Sequence, residues 1–487
     1  MVPITNFGEE RHVLESGEVV AQFENCDYMA DDMMEDKTSN LVSKEKTKPL
    51  KLARGEISIG TALNETKMIE DIINRYISSF EGELGNCNVL EHDIDTGDSK
   101  PIHSAPYRQS PKVREQVQKQ IDEWLRDGVI RPSSSPWASP IVIVPKKDNT
   151  MRMCIDLRDV NKLTNRDVYP LPILEDTLTS LNRAIYFSSL DLNQGYMQIR
   201  MAEKAISKTA FISHNGLCKF IQMPFGLANA PATFERCMNI VLSGLTYNQC
   251  LVYLEDVITF GNTFENHNRN LVNVLQRVQD PNLTIKSSKC ALAVRQLRFL
   301  GHIVGGDGVK MDPNKIDAIL KLPEPTTVTE IKSFIGSASY YRRFIKDFSK
   351  IAEPLTRLTK KGLPFEWKEE QQKAFDMIKT KMTTQPVLCH YDPKLPIESR
   401  TDACGYGLGA ILLHIFPDNT KRVISYASRL ITAAGKNYCI SEQECLVVWA
   451  IDKFKHCLQG TKFMVITDHM ALTWLQSKTE LSGRLMR

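Results

Sequence analysis

Three acidic residues in two apolar runs are the first feature of this sequence that could do chemistry. Phe187-Ser188-Ser189-Leu190-Asp191-Leu192 carries one, and Tyr253-Leu254-Glu255-Asp256, inside the apolar stretch Leu251–Phe260, carries the other two. Both segments read as buried strands with carboxylates at or near their ends. A buried carboxylate is costly unless something offsets its charge. A bound cation does so, and several converging carboxylates make a hard oxygen site suited to Mg²⁺. Two such ions roughly 3.5–4 Å apart are a recurrent means of moving a phosphoryl group. A single acid at a strand end is more often a turn or cap; a cluster is not explained that way.

Basic residues suited to a phosphate lie upstream. Pro145-Lys146-Lys147-Asp148 precedes Met151-Arg152-Met153-Cys154-Ile155, and Asp148-Asn149 falls between two β-rich runs as a hairpin turn should. Lys and Arg beside a transferring phosphate stabilise its developing charge; a solvated basic hairpin is the competing reading. Tyr340-Tyr341-Arg342-Arg343-Phe344-Ile345-Lys346 interleaves aromatic and basic residues. That suits a surface tracking a phosphate backbone, and a charged helix with a packed aromatic face accounts for it nearly as well.

The elements that must position these residues separate by texture. The chain has 487 residues, 42% hydrophobic and 24% charged, ordinary globular values that suggest roughly three or four domains. Its first hundred residues hold 10 Lys+Arg against 21 Asp+Glu, whereas the remainder holds 51 against 37, an asymmetry that suggests a polyanion partner for the basic part. Ala30–Lys51 has few large apolar residues and reads as a disordered or linker segment. Lys67–Phe80 and Val113–Arg126 read as helices, the second ending at the turn signal Asp127-Gly128. Ile141–Val144 and Leu251–Phe260 read as strands, the chain beyond Pro313 as largely helical to about residue 385, and Phe463–Thr467 as a strand after a Gly-rich segment. No stretch approaches the roughly 20 apolar residues that span a bilayer, and no basic segment followed by an apolar one opens the chain, so neither a membrane span nor a signal peptide is expected. The 12 cysteines include no Cys-x-x-Cys pair; reduced thiols, several of them in cores, are expected, and a zinc site is not.

Several blocks together resemble the reverse transcriptases of Gypsy-like LTR retrotransposons. Asp191-Leu192-Asn193-Gln194-Gly195-Tyr196-Met197-Gln198-Ile199 is similar to their LDL-x-x-GY-x-QI motif, Met223–Phe234 to their MPFGL-x-NAPATF block, Tyr253–Asp256 to YLDD, and Phe299-Leu300-Gly301-His302 to the FLGH primer grip. The order and spacings agree from about Val89 onward. The resemblance implies an α+β multidomain chain, a right-hand polymerase of fingers, palm and thumb followed by an incomplete RNase H-like α/β domain. It implies that Asp191, Glu255 and Asp256 hold two Mg²⁺ ions (Mn²⁺ being possible), with Glu255 standing where the family has Asp. Lys146 and Arg152 would grip the triphosphate, Tyr196 would lie under the incoming sugar, and Phe225 and Gly226 would approach the nucleotide. Phe299, Leu300 and Gly301 would hold the primer.

Thr401-Asp402-Ala403-Cys404-Gly405, Ser441–Leu446 and Val465-Ile466-Thr467-Asp468-His469 resemble three segments of the family's RNase H domain. By that resemblance Asp402, Glu444 and Asp468 are its acids, and three carboxylates on two strands and a helix again describe a two-metal site. The family's fourth acid lies further downstream than Arg487, so weak or absent RNase H activity is expected. The implied division is a leader and linker over 1–88, fingers and palm over 89–305, a helical thumb or connection over 306–365, and the RNase H-like domain over 366–487. The implied partners are an RNA or DNA template-primer, dNTPs and other Pol and Gag products, in cytoplasmic virus-like particles, with no membrane. Val2–Phe23 resembles a protease-to-polymerase junction. Asp95-Thr96-Gly97 has the look of an aspartic protease motif, but Glu91–Asp98 resembles the start of these reverse transcriptases, and a structural role is expected.

Overall fold

The structure, a computed structural model, describes residues 23–25, 48–52, 55–60, 63–145, 151–360, 362–384, 386–404, 407–431 and 445–467. The chain divides into two compact units, one of Ser43–Leu297 and one that joins Met1–Val42 to Arg298–Arg487.

In the first unit the sheet that carries the acids has six strands, in the order Cys250–Tyr253, Asp256–Gly261, Tyr186–Asp191, Ala291–Val294, Gly55–Ile59, Lys48–Leu52. Tyr186–Asp191 and Asp256–Gly261 are buried along nearly their whole length. Strands covered on both faces are mostly apolar, and the polar side chains Ser188 and Thr259 on these two are themselves fully buried. Helix Phe264–Gln279 packs against both. The Thr263 hydroxyl caps it by accepting the Asn266 N–H at 3.1 Å, and Phe264, His267, Leu271, Val274, Leu275 and Val278 turn inward at helical spacing. Helix Ala230–Val241, with Pro231 in its first turn, packs against Cys250–Tyr253 and the strand Cys87–His92.

A five-stranded sheet in the same unit runs Ile130–Pro132, Gly216–Phe220, Phe211–Ser213, Ser139–Pro145, Met151–Ile155. Its last two strands are antiparallel, as the reading of a hairpin around Asp148-Asn149 requires; the turn and Lys146 lie outside the described residues. Helix Pro111–Arg126 meets this sheet through Trp124, whose ring lies 5.3 Å from Phe220 and 6.5 Å from Phe211.

The region expected as leader and linker over 1–88 contains two strands besides the helix read at Lys67–Phe80. Lys48–Leu52 and Gly55–Ile59 are strands of the six-stranded sheet, and Leu63–Arg75 is a helix whose Ile69 and Ile73 are fully buried beside Ile57 and Ile59. The alternation of Glu56 and Ser58 with Ile57 and Ile59 is a strand pattern that the surrounding acidic composition obscures. The rest of the expected linker, and Val2–Phe23 except Phe23, lie outside the described residues.

In the second unit the hairpin His302–Gly305/Gly308–Met311 leads into helices Pro313–Leu320, Val328–Ser339, Phe348–Leu358 and Glu369–Thr383, as the texture beyond Pro313 predicts. A five-stranded sheet follows, ordered Phe23–Asn25, Phe463–Thr467, Ile397–Cys404, Gly407–Ile415, Lys421–Leu430. Its core includes Leu412, Ala450 and Phe454. Eight cysteines among the described residues are free thiols, seven of them buried. Among the described residues no helix is long and apolar enough to cross a membrane.

Candidate active site

Asp191 ends its strand, and the register makes Asp256 its direct cross-strand partner. Tyr253 and Asp256 pair across the next hairpin, so Leu254 and Glu255 form the turn at its tip. Leu254 is held there at φ 53°, left-handed and uncommon for a leucine. Backbone strain of this kind persists only where the surroundings impose it, and it clusters at functional sites. Like charges directly opposite one another on a sheet repel. Burial pushes the carboxyls of Glu255 and Asp256 above the ordinary range, and Asp191 pushes both further. Lys289 opposes this: its Nζ lies 2.9 Å from Asp191 Oδ2 and draws both carboxyls back down, as Arg152 also does for Glu255.

Of the residues expected around a nucleotide, Arg152, Tyr196 and Phe225 share one cluster, while Lys146 lies outside the described residues. Tyr196 sits in the short turn Gly195–Gln198, its ring 5.2 Å from Phe225 and 5.3 Å from Phe234, and the Arg152 guanidinium lies 5.2 Å from the centre of the Phe225 ring. Burial, with Glu255 and Glu235 nearby, pushes the Tyr196 phenol up to about 12, so its hydroxyl keeps its proton. Gly226 adopts φ 96°, where a side chain is strained. Asn161 pins that loop, donating to the Gly226 carbonyl at 2.8 Å and accepting the Ala228 N–H at 2.8 Å.

Two residues of this site were not among the sequence candidates. Lys289 gives no sign in the sequence, because its approach to Asp191 depends on the chain folding back. Glu235 directly follows the Met223–Phe234 block; it is 1% exposed, and its Oε2 accepts the Leu254 N–H at 3.2 Å. Burial pushes its carboxyl up to about 7. An acid on the inner face of an apolar helix was the available signal.

In the second unit Leu300 and Gly301 are left-handed, at φ 46° and 74°. Their carbonyls accept the hydroxyls of Tyr340 and Tyr341 at 2.5 and 2.8 Å. Phe299 is buried in the strand before them, and the His302 ring packs among Tyr340, Tyr341 and Phe344. The aromatic–basic segment is therefore largely a packed face: Tyr341 and Phe344 are buried, and Arg342 and Arg343 donate to the carbonyls of Ser428 and Ile424. Asp402 lies on Ile397–Cys404, its Oδ2 3.0 Å from the Nζ of Lys350. Glu444 and Asp468 lie outside the described residues, so of that trio only Asp402 is placed. Asp95 closes a turn, accepting the Gly97 N–H at 3.0 Å and the Asn165 amide at 2.9 Å, which is the structural role expected.

Among the described residues no three His, Cys, Asp or Glu side chains stand together closely enough to hold an ion as arranged. The donor set of Asp191, Glu255 and Asp256 fits a hard divalent cation all the same. It is wholly carboxylate oxygen, and the repulsion that raises Glu255 and Asp256 is what a cation relieves.

Residues 144–304 match the family described as reverse transcriptase (RNA-dependent DNA polymerase), and residues 367–465 match the RNase H-like domain found in reverse transcriptase. The Pol polyprotein of transposon 297 from Drosophila melanogaster is 37% identical over 433 residues, covering 87% of this chain and 40% of its own length. Those of transposon opus and transposon gypsy from the same organism are 35% and 36% identical, covering 90% and 81% of this chain and 46% and 40% of their own lengths. The chain thus spans less than half of these curated relatives. Its fold is similar to that of the foamy viral protease-reverse transcriptase solved with double-stranded DNA, with a TM-score of 0.78 and 23% identity over 88% of this chain and 90% of that one. The same enzyme solved with an RNA/DNA hybrid gives a TM-score of 0.72 at 24% identity, over 88% of this chain and 59% of that one. Fold and domains together define a reverse transcriptase followed by an RNase H-like domain. The chain belongs to the reverse transcriptase/RNase H region of LTR retrotransposon Pol polyproteins, the family of transposons 297 and gypsy.

Proposed function

We propose that the chain is an RNA-directed DNA polymerase that adds dNTPs to a primer on an RNA or DNA template, with Asp191, Glu255 and Asp256 holding two divalent ions. The observation that carries this is the register that sets Asp256 opposite Asp191 with Glu255 in the adjoining turn, inside a domain of this family. Mg²⁺ or Mn²⁺, when bound there, would supply a more nucleophilic primer 3′-hydroxyl and neutralise charge on the triphosphate. The rest falls to the chain. Arg152, with Lys146, binds the triphosphate and stabilises the charge that develops on it. Tyr196, its ring braced by Phe225 and Phe234, bears on the sugar of the incoming nucleotide and disfavours a 2′-hydroxyl. The loop at Gly226 brings backbone close to the nucleotide, and Phe299, Leu300 and Gly301 hold the primer.

The nucleic acids in the foamy viral complexes support a duplex or hybrid as the partner. In the same reading the fingers and palm end near residue 305, the thumb near 365, and Asp402, Glu444 and Asp468 hold the ions of the RNase H-like domain. Other Pol and Gag products are its partners, in cytoplasmic particles. A second reading rests on Glu255: if its extra methylene misplaces the carboxylate, the chain binds nucleic acid without polymerising.

Primer extension on poly(rA) primed with oligo(dT), in Mg²⁺ or Mn²⁺, separates these readings. Extension that is lost in Asp191→Asn supports the polymerase. Extension that survives Asp191→Asn sinks it, and duplex binding without extension by the native chain, with extension restored in Glu255→Asp, favours the second reading.

A further inference from the structure

Glu235 is a buried acid that the polymerase chemistry leaves without a task. It lies on helix Ala230–Val241 beside Phe234, Cys237 and Met238, all fully buried, and is itself 1% exposed. Packing does not account for a carboxyl there, because an apolar side chain would fill the space without the penalty of burying a polar group. Burial lifts its pKa to about 7, and the group that draws it back down is the Leu254 N–H, 3.2 Å from Oε2. Leu254 is the left-handed residue of the hairpin tip, and Glu255 is the next residue.

The pairing of Tyr253 with Asp256 holds the two feet of that turn. Glu235 holds its first residue. The Leu254 N–H belongs to the peptide that joins Tyr253 to Leu254, so this bond and the paired feet restrict the turn backbone from which the Glu255 side chain leaves. A Glu has one more rotatable bond than an Asp, so the aim of its carboxylate depends all the more on a fixed starting point.

We propose that Glu235 is a positioning residue for the polymerase site: by accepting the Leu254 N–H it fixes the backbone of the hairpin tip and thereby the aim of the Glu255 carboxylate toward the divalent ions. This rests on the reading of Asp191, Glu255 and Asp256 as the group that holds those ions.

The test uses the full chain, native and as Glu235→Gln and Glu235→Leu. Gln keeps an oxygen able to accept the Leu254 N–H, whereas Leu fills the site without one. Mn²⁺ binding is followed by the electron paramagnetic resonance of the free ion, and single-nucleotide extension and template-primer binding are measured in parallel. Glu235→Leu is expected to weaken Mn²⁺ binding and to slow extension, each by about tenfold, as loss of one hydrogen bond to a charged group would, while Glu235→Gln stays within about threefold of native. Template-primer affinity is expected to be the same in all three. Glu235→Leu equal to native, or Glu235→Gln as weak as Glu235→Leu, overturns the proposal. Mn²⁺ binding that is lost in Asp191→Asn leaves the underlying reading standing in that case, and Mn²⁺ binding that survives Asp191→Asn overturns both. If Glu235→Leu fails to fold, hydrogen exchange at the Leu254 amide decides: protection in the native chain and in Glu235→Gln supports the proposal, and free exchange in the native chain overturns it.

Discussion

Glu255→Asp shortens one carboxylate by a methylene at a point where the backbone has little room to compensate. Tyr253 and Asp256 are paired across the turn, Asp256 is paired in turn with Asp191, and the Leu254 N–H is bound by Glu235. The change therefore emerges as a displacement of the carboxylate, on the order of 1 Å, and a misplacement of that size costs about 10²-fold where geometry is tight. That factor corresponds to about 2.7 kcal/mol of barrier. The resemblance to the YLDD motif sets the sign: the shorter side chain is the one the site is built for, so Glu255→Asp is expected to raise the extension rate at saturating dNTP about a hundredfold. The KM for dNTP should change little, because Arg152 and Tyr196, the groups proposed to hold the nucleotide, are untouched. Single-nucleotide incorporation on poly(rA)·oligo(dT) at saturating Mg²⁺ measures both quantities. Equal rates in the native chain and the variant would refute the reasoning that Glu255 is misplaced. A slower variant would mean that the site has adapted to the longer side chain.

Four further outcomes follow from the same geometry. Glu235 holds its proton more tightly folded than unfolded, near 7 against an ordinary 4.5, so its contribution to stability is present below the lower value and lost as pH rises through the higher. Relative to native, Glu235→Gln should gain about 3 kcal/mol of unfolding free energy between those two pH values, read by denaturant titration at each end; a difference independent of pH refutes this. Lys289→Gln removes a cation that competes for Asp191 through a half-exposed pair worth less than about 1 kcal/mol, so Mn²⁺ should bind up to about fivefold more tightly, and unchanged affinity would show that no competition exists. Gly226→Ala forces a side chain onto φ 96° and should cost about 1–3 kcal/mol in thermal unfolding, with no shift counting against the strain. Tyr196→Ala should raise incorporation of ribonucleotides relative to deoxynucleotides; an unaltered ratio would remove Tyr196 from sugar selection.

What was legible in the sequence was whatever a local pattern could carry. The apolar run ending in Asp191 is a buried strand, whereas Leu251–Phe260 is two strands with Leu254 and Glu255 in the turn between them; the Val113–Arg126 helix stands as read, and Ile141–Pro145 pairs antiparallel with Met151–Ile155. The gathering of Tyr196, Phe225 and Arg152 was anticipated only through family motifs, because nothing in their spacing brings residues from three separate elements together. Lys48–Ile59 was passed over because an acidic neighbourhood outweighed a short alternation that only a partner strand makes meaningful. Tyr340–Lys346 was ambiguous for a related reason: interleaved aromatic and basic residues look alike whether they face a phosphate or pack inward, and the hydroxyls of Tyr340 and Tyr341 are taken by the carbonyls of Leu300 and Gly301.

Lys289 shows how the three acids proposed to hold cations are balanced within the folded chain. Asp191 and Asp256 face one another across the sheet, and Glu255 adds a third acid that burial and its neighbours already push toward protonation. An opposing charge is therefore needed, and its position has to be as fixed as that of the acids. The chain meets both demands through the sheet itself. Ala291, two residues after Lys289, pairs with Ser189, two residues before Asp191, and the Lys286 N–H donates to the Asp191 carbonyl at 2.8 Å. Acid and counter-ion are thus held in register by the same strands. The Lys289 side chain is 55% exposed, which keeps the pair weak in water. A buried pair would have blocked the site with a strong contact. A half-exposed one offsets the repulsion and still yields to an ion that several carboxylates can bind at once.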